Sequence, residues 1–485
     1  MYSIPYIFED VIKNKLQNEF NSFSDTMIHA IIKCLANPKE QHKYVSIISK
    51  FHDETNRLII KIVADILESI DDQYFNSKDR KLIYESNKRY VSRTITTVFG
   101  DLTFRRNYYK SKLDGSCCFV LDEVLGLPKN DRYDPVVKAL AINTYTKTNM
   151  SIAGKIVGEQ LTDLSNLGMN EAIKTIPRQS IYNWIKDWNI PNLDYEQRPT
   201  PDTLFLMGDE KFIGCQDKEN DIMIKSFVIF EGVEHVSKGR NRLVNKTVIN
   251  MISSQPWVEL TDILFKIYDS QKVKKIYFIS DGGLWLKKGV SELKVEPYME
   301  IKHLLCEFHF KQAINNMTTD AIEREILKLS FQTDSKNEFK KLTDEIINNY
   351  PNRTETIEKK VNYILNNYNQ IKDMLEANIG SSMEAHISHC VANQFGSRPK
   401  GYSSSRIHDY IKLNNFTNNN INIYKLYTST YDNTEVVTLN EKQINYSVFD
   451  RKNDTNIPVL SYGQNTSLYQ ALNDLSHGIN KIWIK

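Results

Sequence analysis

Three acidic residues stand where this chain could hold divalent metal: Asp209, Asp281 and Glu384. The first follows the apolar run Leu204-Phe205-Leu206-Met207-Gly208 and the second follows Ile276-Tyr277-Phe278-Ile279-Ser280. The third falls in the helix-like run Ser381-Ser382-Met383-Glu384-Ala385-His386. Magnesium is a hard cation that prefers carboxylate oxygens and keeps several waters. Three carboxylates can hold two such ions, and two ions about 4 Å apart clamp the attacking and leaving oxygens of an in-line phosphoryl displacement. The chemistry in view is therefore phosphodiester cleavage or transfer with two Mg2+ (or Mn2+) ions. Asp209 is expected to bridge both ions, Asp281 to bind one and Glu384 the other. Glu210 competes with Asp209, because successive side chains of a strand point to opposite faces. Gly282-Gly283 follows Asp281 and lets a substrate backbone come close.

Histidines gather around the same segments. Cys306-Glu307-Phe308-His309 has the C-x-x-H spacing of zinc ligands, and His386, His389 and Cys390 offer further donors. One reading is a structural zinc. The other packs Cys306, His309, His386 and His389 beside the acids, with one imidazole orienting the scissile phosphate.

Elements must bring these groups together. Strand-like runs fall at 203–215, 224–236, 245–253, 274–281 and 301–308, with helix-like runs at 256–270 and 284–295. Three strands, helix, strand, helix, strand, then a helix bearing Glu384 is the order of a ribonuclease-H-like mixed sheet, an α/β fold. About 310–375 carries helical periodicity and is too long for a plain loop, so a helical insertion is expected there. The core is thus assigned to 203–415. Before it, 1–90 reads as helical, with Leu58, Ile59, Ile62, Val63, Ile66, Leu67 and Ile70 at helical spacing. Residues 91–190 read as a β-hairpin followed by helices, a DNA-binding region. Its second strand interleaves Arg105, Arg106 and Lys110 with Tyr108 and Tyr109, a mixture suited to backbone and bases. Solvated arginines on an aromatic strand are the alternative. Ser151 is expected to cap a helix. Arg178-Gln179-Ser180 opens another, similar to a helix-turn-helix recognition helix. Pro191, Pro199 and Pro201 mark a linker. The Asn-rich tail, 416–485, has no assigned role.

Composition narrows the classes. The 485 residues carry a net charge of only +2, but nine Lys/Arg against three acids lie between Asp79 and Lys112. Such a patch can neutralise phosphates. No membrane span or secretion signal is expected, and six cysteines do not make a disulfide scaffold, so a cytoplasmic location is expected.

Four motifs occur in order: Ile279-Ser280-Asp281-Gly282-Gly283-Leu284-Trp285-Leu286-Lys287, Leu305-Cys306-Glu307-Phe308-His309-Phe310-Lys311, Glu384-Ala385-His386-Ile387-Ser388-His389 and Ser397-Arg398-Pro399-Lys400-Gly401-Tyr402-Ser403. Together with Phe99–Arg106 and Leu121–Leu127 they resemble the ISLre-type family of bacterial insertion-sequence transposases, and more distantly Mutator-type transposases. The resemblance implies a DDE-type DNA transposase with Asp209, Asp281 and Glu384 as its triad, and Arg398 and Lys400 as DNA-backbone contacts. It implies terminal inverted repeats and target DNA as partners, a homo-oligomer of at least two copies, and nucleoid association. Two departures from the family pattern stand out: Ser280 precedes the second acid, and Cys306 opens the C-x-x-H. A ribonuclease-H-like nuclease or resolvase, or a catalytically silent DNA-binding relic, are the rivals.

Overall fold

The computed structural model describes residues 8–37, 42–163, 174–217, 221–237, 240–331, 336–377, 379, 391 and 402–432. Its fold is mixed α/β, built on a mixed five-stranded sheet. Two long helices come first, α1 (Phe8–Ala36) and α2 (Lys43–Asn76), followed by the short α3 (Lys78–Ile83). Strands β1 (Tyr84–Thr97), β2 (Gly100–Ser111) and β3 (Cys117–Cys118) form an antiparallel sheet in that order, and α4 (Val120–Val124) follows. Phe104, Ile95, Leu102 and Leu121 pack with Ile60, Ala64, Leu67 and Ile70, so this sheet buries the apolar stripe of α2.

Helices α5 (Pro135–Tyr145), α6 (Met150–Gln160) and α7 (Arg178–Asp187) come next. The cap of α6 is Asn149, whose Oδ1 accepts from Ile152 N at 2.9 Å, and not the expected Ser151, which lies inside the helix. Both are good capping types, so local preference did not separate them.

The large sheet follows. It comprises β4 (Thr203–Ile213), β5 (Ile222–Phe230), β8 (Thr247–Met251), β9 (Lys275–Ser280) and β10 (Glu300–Leu305). Between β5 and β8 a separate ribbon, β6 (Gly232–Ser237) with β7 (Arg240–Val244), breaks the expected run 224–236 in two. Helix α8 (Pro256–Ile267) precedes β9 and α9 (Leu284–Glu292) precedes β10. The strand order is β10-β9-β4-β5-β8. Strands β4, β5 and β8 are antiparallel neighbours, while β9 and β10 run parallel to β4.

Side-chain alternation separates the two faces. Leu204 and Leu206 of β4 and Ile276 and Phe278 of β9 face α8 and α9. Phe205 and Met207 of β4 and Ile279 of β9 pack on the other face, in the core that also takes residues of the later helices. Those helices are α10 (Glu307–Met317), α11 (Ala321–Leu329), α12 (Lys336–Asn349), α13 (Thr354–Asn366), α14 (Tyr368–Ala377), α15 (Ser404–Asn418) and α16 (Ile423–Asp432). The expected strand 301–308 ends at Leu305, because residues 307 onward turn into α10. Among the described residues, no helix is long and apolar enough to cross a membrane.

The Asn-rich stretch finds a structural role. Strand β8 is an edge, and edges leave unpaired backbone groups. Asn415 accepts from Asn250 N and donates to Asn250 O, both at 2.8 Å. Asn419 accepts from Val248 N at 2.8 Å and donates to Val248 O at 2.7 Å. Four residues of helix rise about 6 Å and two residues of strand about 6.8 Å, so side chains four apart on α15 meet backbone two apart on β8. The amides act as a surrogate strand. Replacing both Asn415 and Asn419 with Ala removes these four hydrogen bonds to β8, each worth about 0.5–1 kcal/mol. A fall of about 3 kcal/mol in unfolding free energy by urea titration is expected, and an unchanged midpoint would show that water serves β8 equally well.

Candidate metal-binding active site

The register of two parallel strands builds the site. Met207 of β4 pairs with Ile279 of β9, the last such pair. Asp209, still inside β4 and paired with Ser226 of β5, and Asp281, just past the end of β9, each lie two residues further on and so share the Met207/Ile279 face, on strands about 4.8 Å apart. Burial pushes the Asp209 carboxyl up to about 6; the Glu210 amide donating to it at 2.8 Å opposes this, and the negative charge of Asp281 adds to it. An acid driven up by desolvation and by a second acid is one that a dication would relieve. The donor set therefore fits hard divalent metal.

Alternation also decides between neighbouring acids. Glu210 points to the opposite face, where Trp285 Nε1 donates to its Oε2 at 2.6 Å. Its carboxyl is raised, first by burial. Glu210 is engaged with α9 rather than paired with Asp281.

Asp281 is held by its own turn. Its Oδ1 accepts from Gly283 N at 2.8 Å, and its carbonyl accepts from Tyr363 Oη at 2.7 Å. Gly282 adopts φ +84°, and a Cβ there would lie 2.6 Å from Asn367 Oδ1. Only glycine satisfies both demands. Tyr363 and Asn367 come from α13 and its C-terminal end, within the helical stretch after β10, and they had no signal in the sequence beyond helical periodicity. The preceding residue, Ser280, pairs its Oγ with His303 Nε2 at 2.8 Å and accepts from Gly282 N at 3.1 Å. The Ser280 carbonyl accepts from Cys306 N at 2.7 Å, which ties the start of α10 to the end of β9.

Cys306 caps α10, and His309 lies one turn in. The imidazole is raised first by its hydrogen bond to Cys306; burial opposes, and Asp209 and Asp281 add to the rise. The C-x-x-H spacing thus places His309 toward the acids. Its Nδ1 is buried with no hydrogen-bond partner among the described residues. Among those residues there is also no group of three or more His, Cys, Asp or Glu close enough to hold a metal ion. Glu384, the expected third ligand, lies outside the described residues, as do His386, His389, Cys390, Arg398 and Lys400.

The hairpin differs from expectation. Arg106 is buried, 8% exposed, and cannot reach a phosphate. Its guanidinium lies 3.8 Å above the Phe119 ring and its Nε 3.0 Å from Asp122, which Arg93 Nη1 also meets at 2.7 Å. Tyr109 is fully buried, so the interleaved strand is in part a core strand. Arg105 and Lys110 are exposed, with Arg105 paired to Glu68 at 2.9 Å. Tyr90, which the sequence did not single out, stands exposed at φ 57° beneath the guanidiniums of Arg89 and Arg105. Arg178 is exposed in the first turn of α7.

A family model described as an uncharacterised protein family (UPF0236) matches residues 39–427. A UPF0236 protein of Caldanaerobacter subterraneus subsp. tengcongensis, whose name joins four locus designations, is 26% identical over 487 residues, 97% of this chain and 98% of the relative. Another from the same organism, whose name joins eleven, is 26% identical over 488 residues with the same coverage. A UPF0236 protein of Streptococcus gallolyticus, named for a vanSb 3′ region, is 25% identical over 278 residues, 55% of this chain and 59% of the relative.

Two outcomes test this geometry. Arg106→Ala leaves buried Asp122 short of a partner and should cost about 3 kcal/mol or more, whereas Arg105→Ala at the surface should cost under about 1 kcal/mol; chemical denaturation compares them. Equal costs would contradict the buried ion pair. His303 is held neutral, its pKa lowered to about 4 first by burial and then by Lys287. The folded state then binds fewer protons than the unfolded chain between pH 4 and about 6.5, so stability present above 6.5 is lost as pH falls through that window, by up to about 3 kcal/mol. His303→Gln should flatten the decline measured by urea unfolding between pH 7 and 4.5.

Proposed function

The chain belongs to this uncharacterised family, UPF0236, whose model spans most of its length, and from that premise we propose that it is a DDE-type DNA transposase of an insertion sequence. The observation that carries the reading is the pair Asp209 and Asp281, on one face where the parallel pairing of β4 with β9 ends, with His309 close enough for both charges to raise its imidazole. The sheet supports it: an antiparallel β4-β5-β8 set with β9 and β10 parallel to β4 is the topology of a ribonuclease-H-like core. Helices α10–α14 then correspond to the helical insertion expected at about 310–375. The relatives support it from another side. Names that join four and eleven loci of one genome describe sequences present in many copies, as a mobile element is.

In this reading Asp209, Asp281 and Glu384 hold two Mg2+ (or Mn2+) ions. Bound there, the ions supply Lewis acidity and lower the pKa of an attacking hydroxyl. The chain's own part is positional. Ser280, Gly282 and Tyr363 fix the Asp281 turn, the Glu210 amide orients Asp209, and His309 orients the scissile phosphate. Arg105, Lys110 and Arg178 contact the DNA backbone of terminal inverted repeats or target. Two ends held together require at least two copies of the chain, acting on the nucleoid in the cytoplasm.

The test uses the full-length protein and a duplex carrying the terminal repeat that flanks its own reading frame. With Mg2+, cleavage by Asp281→Asn or Asp209→Asn should fall at least about a thousandfold, with repeat binding within about threefold of the parent. Equal cleavage by the variants would discard the assignment. Cleavage without joining to a second duplex would favour a nuclease or resolvase. Binding with no cleavage by the parent protein would favour a silent DNA-binding relic.

A further inference from the structure

Tyr90 holds a conformation that costs backbone energy and gains little burial in return. Its φ is +57°, a region that an aromatic residue rarely adopts, and the residue is 47% exposed. The pairing of β1 with β2 slips between Ser86 and Lys88 and again between Lys88 and Val91, so Tyr90 stands in a bulge. Bulges re-aim side chains. This one is held from beneath. Tyr90 N donates to Asn107 Oδ1 at 3.3 Å, and Asn107 N and Nδ2 each donate to Asp71 Oδ2 at 2.6 Å. Asn107 and Asp71 are both buried. A strained residue fixed by a buried polar pair points to a use for what it presents.

What it presents is a pair of guanidiniums. Arg89 lies 4.5 Å and Arg105 5.6 Å from the centre of the Tyr90 ring, and Arg89 Nη2 donates to Tyr90 Oη at 2.6 Å. Arg89 also lies 4.1 Å from the centre of the Phe75 ring of α2. One exposed ring therefore fixes cations of β1 and β2 as neighbours, beside α2. Each arginine has an acid from that helix: Arg105 meets Glu68 at 2.9 Å, while Arg89 reaches Asp72 only at 4.0 Å. Ion pairs at a surface are worth little, so a phosphate can displace these carboxylates. A guanidinium fork matches phosphate oxygens bidentately. The partners of the Tyr90 ring are already the two guanidiniums, so a phosphate rather than a base is the group this cluster is built to take.

We propose that the Arg89–Tyr90 bulge is a phosphate clamp that grips the backbone of duplex DNA without reading its sequence, with Tyr90 as the residue that positions both arginines. The inference rests on the reading that DNA is the substrate and adds Arg89 and Tyr90 to the surface that binds it.

The experiment measures binding of the full-length protein to two labelled duplexes of equal length, the terminal repeat and an unrelated sequence. Fluorescence anisotropy is followed from about 50 to 200 mM NaCl without divalent metal. Arg89→Ala should lower the slope of log affinity against log salt by about 0.9 on both duplexes, the loss of one phosphate contact. Tyr90→Gly should weaken binding of both by at least about threefold at a given salt. Its thermal midpoint should stay level or rise, because glycine accepts the positive φ without strain. A lower midpoint would assign the ring to packing and overturn its role as the positioning residue. A parental slope for Arg89→Ala, parental affinity for Tyr90→Gly, or losses confined to the terminal repeat overturn the clamp and leave the transposase reading standing. Failure of the parent protein to bind either duplex overturns both.

Discussion

Two carboxylates that repel each other are held together by the backbone pairing of β4 with β9, and the rest of the candidate site is arranged around that constraint. Parallel pairing in register puts residues 209 and 281 level on one face. Their mutual repulsion and partial burial are borne by strand hydrogen bonds, by the Met207 and Ile279 packing beneath, and by the turn that follows Asp281. This explains why so many contacts converge on four residues: Ser280 is linked to His303 and Cys306, Asp281 to Tyr363, and Gly282 and Gly283 fold back onto Ser280 and Asp281.

The helices after β10 also serve the site. Helix α10 starts at the end of β10 with its first amides beside the Ser280 carbonyl, so the capping of one helix and the termination of one strand are the same event. Helix α13 returns over the turn and supplies Tyr363. The sheet is closed on its other side by α15, whose asparagines complete the hydrogen bonding of β8. A mixed sheet with one edge sealed by side-chain amides keeps its central strands in register without presenting an open ladder to another chain.

The N-terminal hairpin shows how charge in a sequence can mislead. Nine cations between residues 79 and 112 read as one basic surface. Three of them, Arg80, Arg93 and Arg106, are buried, because alternation along β1 and β2 turns Arg93 and Arg106 inward to Asp122, and Arg80 is bonded to the Phe75 carbonyl. Six stay outside the core, and two of these, Arg89 and Arg105, lie over Tyr90.

Period-two and period-3.6 patterns made the large sheet and its helices readable from the sequence, since apolar periodicity is a local property of which face is buried. An acid after an apolar run was conspicuous too, but Asp209 lies inside β4 and only Asp281 follows the end of its strand. The choice of Asp209 over Glu210 was not, because one residue changes the face and only the pairing partner says which face matters. Neither were the burial of Arg106, the capping of α6 by Asn149, the roles of Tyr363 and Asn367, or the fit of Asn415 and Asn419 to β8. Each of these depends on a partner from 16 to 171 residues away or on which of two adjacent residues a neighbouring element selects. Local sequence determines what a segment can form; only packing determines what it faces.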